Sequence, residues 1–225
     1  MGGAELLFLG LMSLAPTSAL QPPCEAEKLT QGPVTVDYTS DGDTAVLKAA
    51  DGTQVRTRFL GIDTPETHFN DKSQGEWAFR AAARLKQLLP KGAEVQVELD
   101  RFACDSRGRT LAYVHKNGVN LNRLMIEEGW AVNYCVAPNF KHCEEYGAVV
   151  EKNIVQKRGF LADPGVQLPY LFREQGREND FEYYIGDMHT KLVISSAKMD
   201  DIPVAQRVFF YSARRIRPPY RLAVP

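Results

Sequence analysis

Arg58-Phe59-Leu60-Gly61-Ile62-Asp63-Thr64-Pro65-Glu66, with Asp41-Gly42-Asp43-Thr44 shortly before it, is the stretch on which the reading of this chain turns. Residues 54–62 read as a β-strand, and the two-residue period of a strand puts Arg56 and Arg58 on one face with Leu60 and Ile62. An arginine on an apolar strand face is costly unless paired, so Arg58 is expected to line a cleft. Between residues 41 and 66 the chain also places the separated carboxylates Asp43, Asp63 and Glu66. Asp43 and Asp63 offer hard oxygen ligands for a divalent cation, and Glu66 can take a proton from water. Arg58 can hold a phosphate through two parallel hydrogen bonds.

Strand signals surround this stretch. Val34 and Val36 alternate with polar neighbours, residues 44–49 follow the Asp-Gly-Asp turn, and Asp51-Gly52 is a strong hairpin dipeptide. Ser73-Gln74-Gly75-Glu76 has the form of a capping box, opening a helix to about Leu89 with Ala78, Ala82, Leu85 and Leu89 in one stripe. Pro90 and Gly92 end it. Val95, Val97 and Leu99 alternate with Glu94, Gln96 and Glu98 as a fourth strand, and a fifth runs about 109–115 to a turn at Asn117-Gly118. A short helix carrying Leu121, Leu124 and Met125 ends at Gly129, and a third helix spans about 142–157.

The fold class expected is α+β: a five-stranded OB-fold β-barrel with three helices, plus a small C-terminal extension with strand-like segments at 181–186, 190–195 and 207–211. Such barrels commonly bind oligonucleotides on one face. The chain divides into a leader (1–19), a Pro-rich linker (20–32), the barrel domain (33–162) and an extension of unassigned role (163–225). The polar run Arg173–Asp180 reads as a linker within that extension.

Composition sets limits. The chain has 225 residues, 44% hydrophobic and 24% charged, which suits one good core with length to spare and argues against bulk disorder. Its net charge is −1, so any nucleic-acid site must be locally basic. Residues 6–15 are apolar and lead into Pro16-Thr17-Ser18-Ala19, the pattern of an export signal cut after Ala19. Glu5 and the missing N-terminal Lys or Arg depart from that pattern, and a buried helix or membrane anchor is the alternative. The run is too short to span a bilayer comfortably, so no stable membrane association is expected after cleavage. Four cysteines fit an oxidising compartment. Cys135 and Cys143 are close enough to staple the loop around Pro138-Asn139, and Cys24 with Cys104 then follows by elimination; four unrelated thiols are the other possibility.

The order of these motifs resembles the staphylococcal-nuclease-like, or thermonuclease, family from about Val34 to Phe160. The residues carrying the resemblance are Asp41-Gly42-Asp43-Thr44, Arg58 with Asp63-Thr64-Pro65-Glu66, and Asp105-Ser106-Arg107-Gly108-Arg109 leading into Leu111-Ala112-Tyr113. Asn122 to Gly129 and Tyr134 complete the set. The resemblance implies a calcium-dependent phosphodiesterase acting on DNA and RNA with little sequence preference. It implies Asp43 and Asp63 as calcium carboxylates, Thr64 as the donor of a backbone carbonyl, and Asp41 as an acid just behind them. Arg58 and Arg109 match the arginines that grip the phosphate, Glu66 the carboxylate near the attacking water, and Tyr134 a tyrosine at the nucleotide pocket. The alternative is a non-catalytic OB module of the same family that binds nucleic acid or protein. The segment from His189 to Arg221 faintly resembles an Ada-type metal-binding module but lacks the cysteines that would hold zinc, so no metal is expected there.

Overall fold

The third strand breaks where the sequence reads as continuous. Gly61 adopts φ +73°, and a Cβ there would come 2.9 Å from the Tyr146 ring, so the chain turns at a residue that only glycine can fill. The computed structural model, which describes residues 24–175 and 182–223, therefore has β3 (Gln54–Phe59) and β4 (Gly61–Asp63) in place of one strand. With β1 (Val34–Thr39) and β2 (Thr44–Lys48) before them, the chain continues through helix α1 (Glu76–Leu88), β5 (Glu94–Glu98), β6 (Thr110–Lys116) and the two-residue β7 (Val119–Asn120). Helix α2 (Leu121–Glu127), β8 (Val132–Val136) and helix α3 (Cys143–Val155) follow.

The first sheet runs β3-β2-β1-β5-β6-β7, and a parallel pairing of β3 with β6 closes it into the expected five-stranded barrel. That closure sets Arg58 opposite Leu111 and Thr57 opposite Thr110, so Arg109 arrives beside the third strand. Thr44 pairs with Arg58 across β2 and β3, which puts Asp43 at the same rim. One sequence-level device is absent: α1 begins after Gly75 with no side-chain cap, and Glu76 reaches forward to Arg80 at 3.6 Å. The Ser73 hydroxyl instead accepts a bond from the Gly75 amide.

The extension joins the barrel instead of trailing from it. After helix α4 (Pro169–Gln175), strands β9 (Tyr184–Asp187), β10 (Leu192–Ser195), β11 (Arg207–Phe210) and β12 (Arg221–Leu222) join β8 and β4 in a second sheet, in the order β12-β10-β9-β11-β8-β4. β11 lies parallel to β8, with Val208 opposite Cys135, and β8 is antiparallel to β4, with Tyr134 opposite Gly61 and Val132 opposite Asp63. One apolar core is continuous from Leu47, Phe59 and Tyr146 of the barrel to Tyr170, Ile185 and Phe209 of the extension. Arg173, expected in a linker, lies in α4 because Tyr170 anchors that helix: its ring stacks on Tyr134 at 5.8 Å and meets Phe209 at 4.9 Å.

Residues 24–32, expected as part of a linker, are also tied down. Cys24 is bonded to Cys104, and a 3-10 helix at Ala26–Thr30 buries Ala26 and Leu29. Cys135 is bonded to Cys143, so no cysteine is free. The leader expected over 1–19 lies outside the described residues. Among the described residues no helix is long and apolar enough to cross a membrane.

Candidate active site

Asp43 and Asp63 are brought together by Arg58. One guanidinium nitrogen meets Asp43 Oδ1 at 2.8 Å and the other meets Asp63 Oδ1 at 2.8 Å. All three side chains are buried, Asp63 completely. Asp43 Oδ2 accepts from the Thr64 amide at 2.9 Å and from its hydroxyl at 3.1 Å. Gly42 makes that approach possible, because a Cβ there would stand 2.7 Å from the Thr64 hydroxyl oxygen. Asp41 lies just behind: its carboxylate accepts from the Asp43 amide at 3.0 Å. Burial pushes the Asp41 carboxyl up to about 7, and the Asp43 charge adds to the shift.

Glu66 enters the same cluster through a residue that the sequence did not single out. Arg173 of α4 binds Asp63 with both arms, Nη1 to Oδ1 and Nη2 to Oδ2, each at 2.8 Å. Its Nη1 also meets Glu66 Oε1 at 2.5 Å. The guanidinium lies 5.4 Å from the centre of the Tyr134 ring. Burial raises the Glu66 carboxyl above its ordinary range, and the Arg173 charge works against that rise. Burial works against the charge of Arg173 itself, yet Asp63 holds its pKa well above the usual value, so the arginine stays cationic. The Glu66 amide is fixed by the Gln74 side chain, which reaches on to the Gln167 carbonyl ahead of α4.

These groups open on a cleft of about 630 Å³. Asp41, Asp43, Arg58, Glu66, Arg109 and Tyr134 all line it, as does Arg173. Arg109 is held by Asp105 at 2.6 Å, and burial with the neighbouring Arg58 charge lowers its pKa. Tyr134 faces the cleft, but the extension claims much of its ring: it packs on Phe209 at 4.6 Å, and its hydroxyl pairs with that of Tyr211. Tyr211, Ser212 and Arg215 of the extension complete the wall. Arg215 bonds the Ala137 carbonyl at 3.2 Å and lies over the Phe102 ring.

The donor set is all oxygen, which suits a hard divalent cation such as calcium or magnesium. Among the described residues, however, no three acids, histidines or cysteines stand arranged as a ready-made metal cage. The oxygens of Asp43 and Asp63 are occupied by N–H and O–H donors from Arg58, Thr64 and Arg173. The only sequence signal that could have found Arg173 is the helix start Pro169-Tyr170-Leu171-Phe172, with proline at the first turn and an apolar face behind it.

Comparison with known proteins bears on the chain's family. The family described as "Staphylococcal nuclease homologue" matches residues 56–163. Endonuclease YhcR of Bacillus subtilis (strain 168) is 31% identical over 188 residues, covering 79% of this chain and 15% of YhcR. A match of that length runs past the nuclease region into the extension. SPbeta prophage-derived endonuclease YokF of the same strain is 34% identical over 140 residues, 59% of this chain and 47% of its own. Thermonuclease of Staphylococcus hyicus is 35% identical over 104 residues, 46% of this chain and 60% of its own. The chain thus spans between 15% and 60% of the length of these relatives. On its barrel, its motif residues and these matches, residues 56–163 of the chain are a domain of the staphylococcal-nuclease-like family.

Proposed function

We propose that the chain hydrolyses phosphodiester bonds of DNA and RNA in a calcium-dependent reaction with little sequence selectivity. The observation that carries the reading is the convergence of Asp43, Arg58, Asp63 and Glu66 on one buried point at the head of an arginine-lined cleft. Relatives named endonuclease and thermonuclease support it. Asp43 and Asp63, with the Thr64 carbonyl, are the residues that would hold calcium, and Asp41 would support Asp43 from behind. Bound there, calcium would supply charge stabilisation on a non-bridging phosphate oxygen.

The chain's own groups carry the rest. Arg58 and Arg109 offer guanidinium donors to other phosphate oxygens, favouring the five-coordinate phosphorus over the tetrahedral ground state. Glu66 accepts the proton of the attacking water, a role its raised pKa suits by making the carboxylate more basic. A general base contributes about 10²–10⁴ in rate. Tyr134 and the wall built by Tyr211 and Arg215 offer rings and a cation to a flexible strand without reading base edges. The two disulfides, which use all four cysteines, and the apolar leader support action in an exported, oxidising setting.

The test is hydrolysis of DNA by the full chain with calcium and with calcium chelated. Cleavage that ignores chelation sinks the calcium mechanism. Binding without turnover at millimolar calcium establishes the alternative, a non-catalytic OB module.

A further inference from the structure

We propose that Arg173 is an internal cation that competes with a divalent metal for Asp63 and Glu66, so that the C-terminal extension sets how much free metal the site demands. This rests on the phosphodiesterase reading above and adds its regulation. Three observations carry it. Arg173 binds both oxygens of a fully buried Asp63, each at 2.8 Å, the most directional pairing available between a guanidinium and a carboxylate. The same Nη1 meets Glu66, so a single positive group spans the carboxylate assigned to metal and the one assigned to water. And Arg173 lies beyond residue 163, where the nuclease match ends, on a helix with its own anchor in the core. The fastening is Tyr170, whose ring stacks on Tyr134 and whose hydroxyl accepts from the buried Arg207 at 3.0 Å.

Lone pairs and charge both make the two cations exclusive. A carboxylate has about four acceptor positions. On Asp63, Oδ1 already takes one bond from Arg58 and one from Arg173, and Oδ2 takes another from Arg173. A divalent ion ligated by Asp63 in this buried pocket would lie against the guanidinium with little water to screen the repulsion. Metal binding therefore requires Arg173 to release Asp63, and the two equilibria oppose each other by the same factor in either direction. The apparent metal affinity falls by the fraction of molecules in which the contact is open. Arg58 does not play this part, since it belongs to the barrel itself and joins Asp43 to Asp63 from that side.

The experiment is a calorimetric titration of the full chain with calcium alone, without substrate, comparing the unmodified protein with Arg173→Gln and Arg173→Lys. If the contact is open in about 1–10% of molecules, Arg173→Gln binds calcium about tenfold to a hundredfold more tightly. Arg173→Lys keeps the charge but loses the two-armed pairing, and its affinity falls between the two; it also carries the test if the glutamine variant fails to fold. A second readout is amide exchange across residues 169–175, which calcium should accelerate in the unmodified chain. Equal or weaker calcium binding by both variants overturns the competition and leaves the hydrolytic reading intact. No calcium binding by any of the proteins overturns the metal-dependent reading together with it.

Discussion

Phe209→Ala asks whether the extension is structurally part of the nuclease. Phe209 is almost fully buried, with its ring centre 4.6 Å from that of Tyr134, 4.9 Å from that of Tyr170 and 6.4 Å from that of Tyr183, so it stands between β8, α4 and the residue leading into β9. Removing a buried phenylalanine costs about 3–5 kcal/mol, because the transfer energy of the ring is lost and the cavity collapses only partly. With a denaturant slope of about 2 kcal/mol per molar urea, that moves the midpoint down by about 1.5–2.5 M. The chain has two tryptophans, Trp77 in α1 and Trp130 between α2 and β8, 5.9 Å apart and both before the extension. Tryptophan fluorescence therefore reports chiefly the barrel domain, with a link to the extension in the bond from Trp77 Nε1 to Asp163 at 2.9 Å, while far-ultraviolet circular dichroism reports both parts. If one core unites them, the two signals shift together by the full amount. A fluorescence midpoint that moves by less than about 0.3 M, with a separate dichroism transition at lower urea, would refute the shared core.

Other outcomes follow from single contacts. Gly42→Ala forces a Cβ to within 2.7 Å of the Thr64 hydroxyl, breaks the Thr64–Asp43 bonds and costs about 1–3 kcal/mol by thermal melting, with activity falling alongside. Asp41, raised to about 7 from an unfolded value of 3.8, binds more protons folded than unfolded between those pH values. Its contribution to stability is thus full below the unfolded pKa and lost as pH rises through 7; Asp41→Asn in chelator should flatten the decline, worth up to about 4 kcal/mol. A stability curve whose slope between those pH values is unchanged by Asp41→Asn contradicts the shift. The Cys24–Cys104 bond closes a span of 80 residues and the Cys135–Cys143 bond a span of 8. Chain entropy makes removal of the first cost about 4.5 kcal/mol and of the second about 2.5 kcal/mol; the reverse order in urea melts contradicts this.

What the sequence revealed and what it hid have physical reasons. β1 and β5 were legible because one face of each meets the core and the other faces outward, so apolar and polar residues alternate, whereas β2 and β6, buried along most of their length, were marked by the turns that bound them. β8 escaped notice. Val132-Asn133-Tyr134-Cys135-Val136 is flanked by β4 on one side and β11 on the other and is covered on both faces, which erases the alternation. The break at Gly61 was hidden by the apolar run on either side of it, since positive φ leaves no mark beyond the glycine itself. Asp43, Arg58, Asp63 and Glu66 could be singled out because carboxylates and an arginine amid strand signals are costly without purpose. Arg173 carried no such mark of its own beyond the helix start before it, because a charged residue in a polar run costs nothing until the fold turns it inward. Its role depends on Tyr170 and Arg207, contacts formed by residues far apart in sequence.

The measurement that bears most directly on the hydrolytic reading is single-turnover cleavage of an end-labelled oligonucleotide at saturating calcium, by the unmodified chain and by Glu66→Gln, with binding followed in parallel by fluorescence anisotropy. The expected result is a rate lower by about 10²–10⁴ with oligonucleotide affinity preserved. Equal rates for the two proteins would contradict the assignment of Glu66, and no cleavage by the unmodified chain would contradict the reading as a whole.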